Sequence, residues 1–550
     1  MTAATAMGAG REWTLARNPV VTGLALALAA VIASRSADAR SAPGQSSCQV
    51  LASVTIPASA FGLPTGEGRV TSSDRSGGTA ALPPFCKVLG TIAAADPADP
   101  PIGFELNLPD GWNGKAVQFG GGGLNGLLVT GLDPSPGLAA ERPVPLAQGY
   151  ATFGGDSGHR SSPMDARFAL NAQSLANYSG ESVKRTHDAA VFLMSRFYGR
   201  APRRMYHVGG SKGGHEGLVA AQRYAADYDG VVAFFPASQN QALVTAWYEM
   251  WKAAYSRPGA SLDPSRRAVL KQGVLAACDA LDGLRDGVVA AVERCRSTFA
   301  VNELRCPRGA SGSACLSDAQ IDALERAAAP VRFPYPMAHG VTSNGPFPVY
   351  VGADGAGTLF DPTGGKGDST AYRAFAGQVF PNFVVGSAAA RLEDYDMRDH
   401  QERVQRLSAQ YDASDPDLDR FERRKGRLIV VQGTTDMLVP EPMTTAYVDR
   451  LRERYGPDLR RFVRYYVQPG YGHGDGDFVL NWDALRALDE WVEHGVAPAS
   501  PVTVDAARAT KGRSMPLCEQ PRWPRYQGRG DPRDARSFSC EIAPQGGGAN

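Results

Sequence analysis

The chain has 550 residues, enough for a large core and for more than one domain or one domain with a large insertion. Its 57 lysines and arginines balance 56 aspartates and glutamates, which gives a formal net charge of +1. This balance argues against nucleic acid or an anionic membrane as a partner and favours a small, neutral or modestly charged substrate.

The N-terminus has the pattern of a secretory signal. Arg11 and Arg17 precede an apolar run over residues 20–33, and Ala37-Asp38-Ala39 matches an A-x-A cleavage site. The alternative is a membrane anchor, but a run of about 14 apolar residues is shorter than the roughly 20 that a spanning helix needs. No later segment is long and apolar enough to span a membrane. We therefore expect residues 1–39 to be removed and the mature protein to be secreted or periplasmic.

Strand-like and helix-like runs then alternate along the chain. Residues 104–108 and 116–119 have strand character and are divided by a turn, which predicts a hairpin at the entry to a sheet. Another strand-like run covers residues 150–153, and a helix-like stretch follows over about 181–198. The alternation predicts an α/β fold with a mostly parallel sheet flanked by helices.

The sequence Gly209-Gly210-Ser211-Lys212-Gly213 follows a strand-like run at residues 204–208 and opens a helix-like run that ends near Tyr224. In an α/β-hydrolase, a strand, a sharp glycine turn and a helix follow one another in this order and expose a nucleophilic serine at the top of the sheet. Small flanking residues suit such a turn, because the serine backbone is strained and side chains next to it have no room. Ser211 is therefore the candidate nucleophile.

A serine hydroxyl needs a histidine base and an acid that orients the histidine. In α/β-hydrolases the acid and then the histidine follow the serine, each on a loop after a late strand. Asp436 comes just after the strand-like run 427–431, and His473 comes just after the run 462–467. Both stand in the place and order that the mechanism requires.

An aspartate after a strand is usually a turn residue or a helix cap, so Asp436 taken alone would be structural. The chain has only 8 histidines, however, and His473 lies between glycines after the last sheet strand. This position is poorly explained by chance. We therefore predict a triad of Ser211, Asp436 and His473.

Four glycines at residues 120–123 follow a strand, where this fold supplies one amide of the oxyanion hole. The other amide would be that of Lys212, and Gly121 or Gly122 would supply the partner. Glycine runs are also found as flexible loops or phosphate cradles, but no phosphate-loop pattern occurs here. The position after a strand favours the oxyanion role.

Eight cysteines in an exported chain argue for disulfides. Many pairings are possible, and proximity in sequence favours four short loops. The expected pairs are Cys48 with Cys86, Cys278 with Cys295, Cys306 with Cys315, and Cys518 with Cys540.

The loop that follows Cys278 places Asp279, Asp282 and Asp286 around two glycines. Clustered carboxylates and backbone carbonyls of a glycine-kinked loop can supply the six to eight oxygens that Ca²⁺ takes. The spacing is not that of an EF-hand, and a solvated acidic turn is the alternative. The cysteines show no paired C-x-x-C spacing, and no H-E-x-x-H occurs, so nothing indicates a zinc site.

Several ordered segments match one family. They are Trp112-Asn113-Gly114-Lys115, Asp156-Ser157-Gly158-His159, Ala220-Ala221-Gln222-Arg223-Tyr224, the loop 278–288, Cys315-Leu316-Ser317-Asp318-Ala319-Gln320, and residues 491–498 near the end. On these segments the chain resembles the tannase and feruloyl esterase family of secreted α/β-hydrolases over nearly all of its length beyond the signal.

The resemblance implies an α/β-hydrolase domain in two parts, residues 40–237 and 419–550. It also implies an inserted lid domain, residues 238–418, that lies over the active site. The lid would hold a structural Ca²⁺. By position, the ligands would be the side chains of Asp279, Asp282 and Asp286 and the backbone carbonyls of Leu284 and Val288.

Family members hydrolyse esters of aromatic acids, such as gallate, hydroxycinnamate and, in one relative, mono(2-hydroxyethyl) terephthalate. The expected function is therefore that of a secreted serine esterase for feruloyl, galloyl or terephthalate-type esters, which acts through an acyl-enzyme. One alternative is hydrolysis of aliphatic or oligomeric esters by the same triad. Another is a non-catalytic, calcium-stabilised binding protein, against which the intact serine, aspartate and histidine argue.

The chain departs from the family at two positions. The family usually has a cysteine directly before the nucleophile and another directly after the catalytic histidine, joined in a disulfide. Here these positions are Gly210 and Gly474. We therefore expect packing to align the Ser211 and His473 loops, and we expect cysteines placed at both positions to form a disulfide.

Overall fold

The computed structural model describes residues 48–138, 142–308 and 312–542, so the predicted signal segment, residues 1–39, lies outside the described residues. The strands are β1 (Thr55–Ile56), β2 (Gly68–Ser76), β3 (Phe85–Ile92), β4 (Ile102–Pro109), β5 (Lys115–Phe119), β6 (Ala151–Gly155), β7 (Arg204–Gly210), β8 (Gly230–Phe234), β9 (Val331–Arg332), β10 (Ser343–Asn344), β11 (Arg427–Gly433), β12 (Val463–Gln468), β13 (Leu480–Asn481), β14 (Val502–Asp505), β15 (Ser514–Pro516), β16 (Arg522–Tyr526) and β17 (Phe538–Ile542).

The helices follow the same chain order. They are α1 (Ala172–Ala176), α2 (Ser182–Tyr198), α3 (Lys212–Arg223), α4 (Asn240–Tyr255), α5 (Pro264–Cys278), α6 (Val292–Thr298), α7 (Asp318–Ala327), α8 (Ala371–Val379), α9 (Gln401–Tyr411), α10 (Asp419–Arg423), α11 (Glu441–Tyr455) and α12 (Ala484–His494). Within the described ranges, no helix combines the length and the apolar character needed to cross a bilayer.

The central sheet has ten strands in the order β1-β2-β3-β4-β6-β5-β7-β8-β11-β12. Strands β6, β5, β7, β8, β11 and β12 pair in parallel, and β1 to β4 form an antiparallel meander that joins β6. The predicted α/β fold is confirmed. Because the parallel strands run the same way, the segments that follow β7, β8, β11 and β12 all emerge at one edge of the sheet.

The predicted hairpin of residues 104–108 and 116–119 is wrong. Strand β6 lies between β4 and β5, so that Thr152 pairs with Asn107 on one side and with Val117 on the other. Neighbouring strands are about 4.8 Å apart, and the connection through residues 110–114 is long enough to step over one strand. A strand from later in the chain fills the gap.

Both faces of the parallel half are buried, which explains why its strands are apolar along their whole length. Val231 and Val232 of β8 are fully buried on opposite faces, as the alternation of a strand requires. Val231 belongs to the cluster that contains apolar residues of α2, α3 and α11. Val232 belongs to the cluster that contains α4, α8 and α12.

The long segment between β8 and β11 carries α4 to α10 and adds no strand to the central sheet. Local signals fix the ends of its helices. Asp263 caps α5, which begins with Pro264, and Ser317 with Gln320 forms a capping box at α7. The predicted lid, residues 238–418, falls within this segment, and its role as a lid stays a prediction.

All four predicted disulfides are confirmed: Cys48–Cys86, Cys278–Cys295, Cys306–Cys315 and Cys518–Cys540. Each closes a loop of 9 to 38 residues. Such bridges stabilise chiefly by restricting the unfolded chain, typically by about 2–4 kcal/mol.

Candidate active site

Ser211 stands alone between β7, which ends at Gly210, and α3, which begins at Lys212. Its φ of 58° and ψ of −118° are unfavourable for a residue with a side chain. The amide of Ser211 donates to the Phe234 carbonyl at 3.0 Å, and the Ser211 carbonyl accepts the amides of His215 and Ala237. The sharp turn that the sequence predicts is therefore present and held from both sides.

The glycine at 209 is required by close approach. A Cβ at Gly209 would lie 2.5 Å from the Gly213 carbonyl group, which no side chain can tolerate. The backbone of β7 and the first turn of α3 therefore touch directly. This contact pushes the Ser211 side chain out at the carboxyl edge of the sheet.

The predicted acid and base are hydrogen-bonded to each other. His473 Nδ1 donates to Asp436 Oδ2 at 2.8 Å, and Asp436 Oδ1 accepts the amides of Leu438 and Val439, each at 2.8 Å. Asp436 is fully buried, so its orientation is fixed. The arrangement sets the tautomer of His473 and leaves its Nε2 free to face a substrate.

The electrostatics of His473 follow from this pair. Burial by itself lowers the pKa of the imidazole, but the charge and hydrogen bond of Asp436, together with the charge of Asp475, outweigh it. The pKa of His473 is therefore raised above its ordinary value.

Ser211, Asp436 and His473 follow β7, β11 and β12 at the same edge of the sheet. In the described residues, no hydrogen bond joins Ser211 to His473. Catalytic hydrogen bonds are often loose without substrate and tighten in the Michaelis complex. The structure thus brings the predicted acid, Asp436, and the predicted base, His473, together and places Ser211 at the same edge of the sheet.

The glycine loop after β5 packs against the first turn of α3. Gly213 donates its amide to the Gly121 carbonyl at 2.8 Å, and the Gly121 amide donates to Glu216 Oε2 at 3.1 Å. Among the hydrogen bonds of the described residues, none uses the amide of Lys212 or of Gly122. The Gly121 amide is therefore occupied, and of the two predicted glycines Gly122 is the one whose amide has no partner among the described residues.

Glu216, which sequence reasoning did not single out, organises this region. Its Oε1 accepts Lys212 Nζ at 2.9 Å and Asn125 Nδ2 at 3.0 Å. The Lys212 side chain is only 2% exposed, and its ammonium lies 4.7 Å from the ring centre of Tyr178. The i,i+4 spacing of Lys212 and Glu216 on a predicted helix is the signal that could have revealed the pair.

A cavity of about 480 Å³ opens beside His473, and its lining includes none of the glycines at 120–123. Its wall includes the ion pair of Lys271 and Asp477, with a 2.8 Å separation of Nζ and Oδ2. The cavity lining consists of Lys271, Gly352, Ala353, Asp354, Gly355, Ala356, Thr358, Thr435, Met437, Leu438, His473, Asp475, Gly476 and Asp477. The mixture of charged groups, hydroxyls and small residues suits a polar occupant.

The predicted calcium loop is closed by its own backbone. Asp279 Oδ1 accepts the amides of Asp286 and Gly287, Asp282 accepts those of Leu284 and Ala290, and Asp286 accepts that of Val288. Arg513 adds an ion pair to Asp286 at 3.2 Å. Burial, with the charges of Asp286 and Asp279, raises the pKa of Asp282 to about 7.

Among the described residues, the group of three possible metal ligands whose ligand atoms all lie within 4.8 Å of one another is His187, Asp188 and Asp227; Asp279, Asp282 and Asp286 do not form such a group. Lys184 Nζ already lies 2.8 Å from Asp188 and 2.9 Å from Asp227. The ammonium thus takes the place that a cation would have. His187, whose Nδ1 lies 2.9 Å from Asp188 Oδ1, is part of this structural ion-pair cluster.

His159 is structural as well. It is stacked on Phe168 with 3.7 Å between ring centres, and its Nε2 donates to the Leu124 carbonyl at 3.0 Å. Burial lowers the pKa of His159 to about 4, which keeps the ring neutral. Its role is to hold the loop that follows the glycine run.

Comparison with known proteins gives matches across most of the chain. The family described as tannase and feruloyl esterase matches residues 86–541. An uncharacterized esterase of Agrobacterium fabrum is 36% identical over 516 residues, which cover 90% of this chain and 92% of that protein. Mono(2-hydroxyethyl) terephthalate hydrolase of Piscinibacter sakaiensis is 30% identical over 537 residues, which cover 84% of this chain and 86% of that protein.

Among solved structures, an esterase from Aspergillus oryzae matches with a TM-score of 0.75 at 20% identity. The match covers 88% of this chain and 98% of that one. At this level of identity the likeness shows the fold, and it confirms the predicted α/β-hydrolase fold.

Proposed function

The chain belongs to the tannase and feruloyl esterase family and is a carboxylic ester hydrolase. From this premise we propose that it cleaves esters of aromatic acids and that Ser211, His473 and Asp436 carry out the reaction. The observation that carries the proposal is the hydrogen bond of His473 to buried Asp436 at the sheet edge where Ser211 occupies a strained turn. The acid component is feruloyl, galloyl or terephthalate-like, since relatives named for such esters align along most of this chain.

The reaction is acyl transfer in two steps. His473 Nε2 takes the proton of Ser211 Oγ, and Oγ attacks the ester carbonyl carbon. The negative oxygen of the tetrahedral intermediate accepts the amides of Lys212 and Gly122, neither of which has a partner in the described part of the chain. When the intermediate collapses, the carbon–oxygen bond to the alcohol breaks and His473 gives its proton to the leaving oxygen.

Deacylation repeats these steps with water. His473 removes a proton from the water, the hydroxyl oxygen attacks the acyl-enzyme carbonyl, and Ser211 leaves with the proton of His473. Asp436 stabilises the imidazolium that forms in each half-reaction. The free carboxylic acid is the second product.

The alcohol component has a site beside the base. Because His473 protonates the leaving oxygen, the alcohol must lie next to its imidazole, where the cavity of about 480 Å³ opens. The cavity wall is polar, with the Lys271–Asp477 pair, Thr358 and Thr435. We propose that a hydroxylated alcohol occupies this cavity and that the segment over residues 238–418 covers it as a lid.

A structural Ca²⁺ in the loop after α5 is part of the same proposal. The donor types fit, because one loop carries three carboxylates, and burial together with the charges of Asp286 and Asp279 raises the pKa of Asp282, a cost that a bound cation would relieve. Asp279, Asp282 and Asp286 would supply carboxylate oxygens, and Leu284 and Val288 would supply carbonyls. The ion would stabilise the loop and has no step in catalysis.

We also propose that the protein acts outside the cytoplasm. The four disulfides favour an oxidising compartment. The signal pattern over residues 1–39 supplies the route of export.

The proposal is tested by replacing the proposed nucleophile, Ser211. Ser211→Ala should reduce kcat on aryl esters by about 10⁶-fold and abolish labelling by a fluorophosphonate, because loss of a triad nucleophile removes the acyl-enzyme. Ser195→Ala, on the outer part of α2, is the matched control and should retain both. A wild-type protein that fails to react with the fluorophosphonate would favour a binding protein. A panel of feruloyl, galloyl, terephthaloyl and aliphatic esters separates aromatic from aliphatic specificity.

A further inference from the structure

Phe235 lies between the strand of the nucleophile and the ring of the base. It is the first residue after β8, which is the strand between β7 and β11 in the sheet. Its amide donates to the Val431 carbonyl at 2.7 Å, and its φ is 33°, a conformation rare for a residue with a side chain. The backbone therefore holds the side chain of this buried residue in one direction.

One side of the Phe235 ring rests on the base. The ring centre lies 4.4 Å from that of His473, at an interplanar angle of 43°, and 6.0 Å from that of Tyr471. The hydrogen bond to Asp436 fixes only the Nδ1 atom of His473, and one bond leaves the imidazole free to tilt about that point. A packed aromatic ring removes the remaining freedom.

Another side of the same ring covers Gly210, the residue directly before Ser211. A Cβ added at Gly210 would lie 2.7 Å from Cε2 and 3.1 Å from Cζ of Phe235. Both distances are shorter than ordinary van der Waals contact. The ring therefore occupies the space of a side chain at 210, and only glycine is compatible with it.

The loop that carries His473 is held at its base, where the Gly472 amide donates to the Asp475 carbonyl at 2.8 Å and Tyr471 pairs with Gly476. Gly472, Gly474 and Gly476 surround the histidine, and beyond its two chain neighbours no atom of the described residues lies within 4 Å of the place that a Gly474 Cβ would take. Gly474 also has a φ of 100°. The backbone bonds hold the base of this glycine-rich loop, and the tilt of the imidazole depends on contacts of the ring itself.

We propose that Phe235 is a positioning residue for the reaction, and that with Gly210 it forms a coupled pair that holds His473 in line with Ser211. The proposal rests on the triad of the proposed function. By packing, the ring joins the two loops that carry the nucleophile and the base. It acts through the imidazole of His473.

The test compares Phe235→Ala with Phe235→Leu. Misplacement of a catalytic group by about 1 Å can cost about 10²-fold, so Phe235→Ala should lower kcat about a hundredfold while KM stays within about threefold. Phe235→Leu retains apolar bulk and should recover most of kcat. Phe462→Ala, a fully buried phenylalanine before β12 at the far end of that strand from His473, is the matched control and should lose stability with kcat retained.

A double-mutant cycle tests the coupling with Gly210. Gly210→Ala should lower kcat/KM about tenfold with Phe235 present and less than about twofold in the Phe235→Ala background, because the clash is then gone. Additive effects would overturn the coupled pair, and a Phe235→Ala enzyme with the kcat of the wild type would overturn the positioning role. Fluorophosphonate labelling of the wild type separates these failures from failure of the triad itself.

Discussion

Glu216 Oε2 accepts the amide of Gly121 at 3.1 Å, so the carboxylate of helix α3 holds the glycine loop that follows β5. The other oxygen of the carboxylate binds the ammonium of Lys212, the residue after the proposed nucleophile. One buried side chain thus ties together the two backbone segments proposed to form the oxyanion hole.

Replacing Glu216 with glutamine should therefore affect catalysis and stability together. The ammonium of Lys212 would stay buried without its counter-ion, at a cost of about 3 kcal/mol in the free energy of unfolding. Displacement of the oxyanion amides should lower kcat by about 10- to 100-fold, less than the loss of a whole donor. Thermal melting and ester kinetics measure the two effects.

The matched control is Glu105→Gln. Glu105 is equally buried and pairs with Lys87 at 3.1 Å, but it lies in β4, outside the proposed site. The Glu105→Gln variant should lose stability and keep the kcat of the wild type. If Glu216→Gln also keeps kcat, the oxyanion amides do not depend on this carboxylate.

The pH dependence of the reaction should report the Asp436–His473 pair. The base acts as neutral imidazole, so kcat/KM is lost as the pH falls through the pKa of His473. Because Asp436 raises that pKa, the acid limb of the profile should have its midpoint above about 6.5, the ordinary value for histidine. Asp436→Asn should move the limb to lower pH and reduce kcat by about 10⁴-fold. An unshifted limb would contradict the assigned pair.

Calcium should stabilise the folded protein. A ligand present at about 100 times its Kd adds about 2.7 kcal/mol when it binds only the native state. Chelation with EDTA should therefore lower Tm, and Asp282→Asn should make Tm insensitive to calcium. Asp322→Asn, which removes a half-exposed carboxylate paired with Arg257, should leave the calcium response intact. Equal Tm values with and without EDTA would exclude the site.

An engineered disulfide should depend on Phe235. The sequence alone predicts that Gly210→Cys with Gly474→Cys forms a bridge, but the structure places the Phe235 ring 2.7 Å from a Cβ at 210. We therefore expect little cross-linking in the wild-type background and more in the Phe235→Ala background, where the space is open. Thiol titration and Tm under oxidising and reducing conditions measure the difference. Complete cross-linking with Phe235 present would show that the ring moves aside easily.

The sequence by itself determined the features that depend on neighbours along the chain. The turn at Ser211 follows from glycines between a strand and a helix, and the four disulfides join cysteines that are close in sequence. The positions of Asp436 and His473 after the late strands also follow from local patterns, because the strands and the loops after them have distinct compositions. The order of these three residues along the chain needed no tertiary information.

Only the tertiary structure decided the contacts between distant segments. It placed β6 between β4 and β5, where a hairpin was predicted, since strand pairing over long separations leaves no mark in local periodicity. It showed that the Gly121 amide is taken by Glu216, and that Phe235 fills the space above Gly210 beside His473. Such contacts arise where packed elements meet. The side chains that fill the space there depend on the shapes of both elements, and a single stretch of sequence describes only one of them.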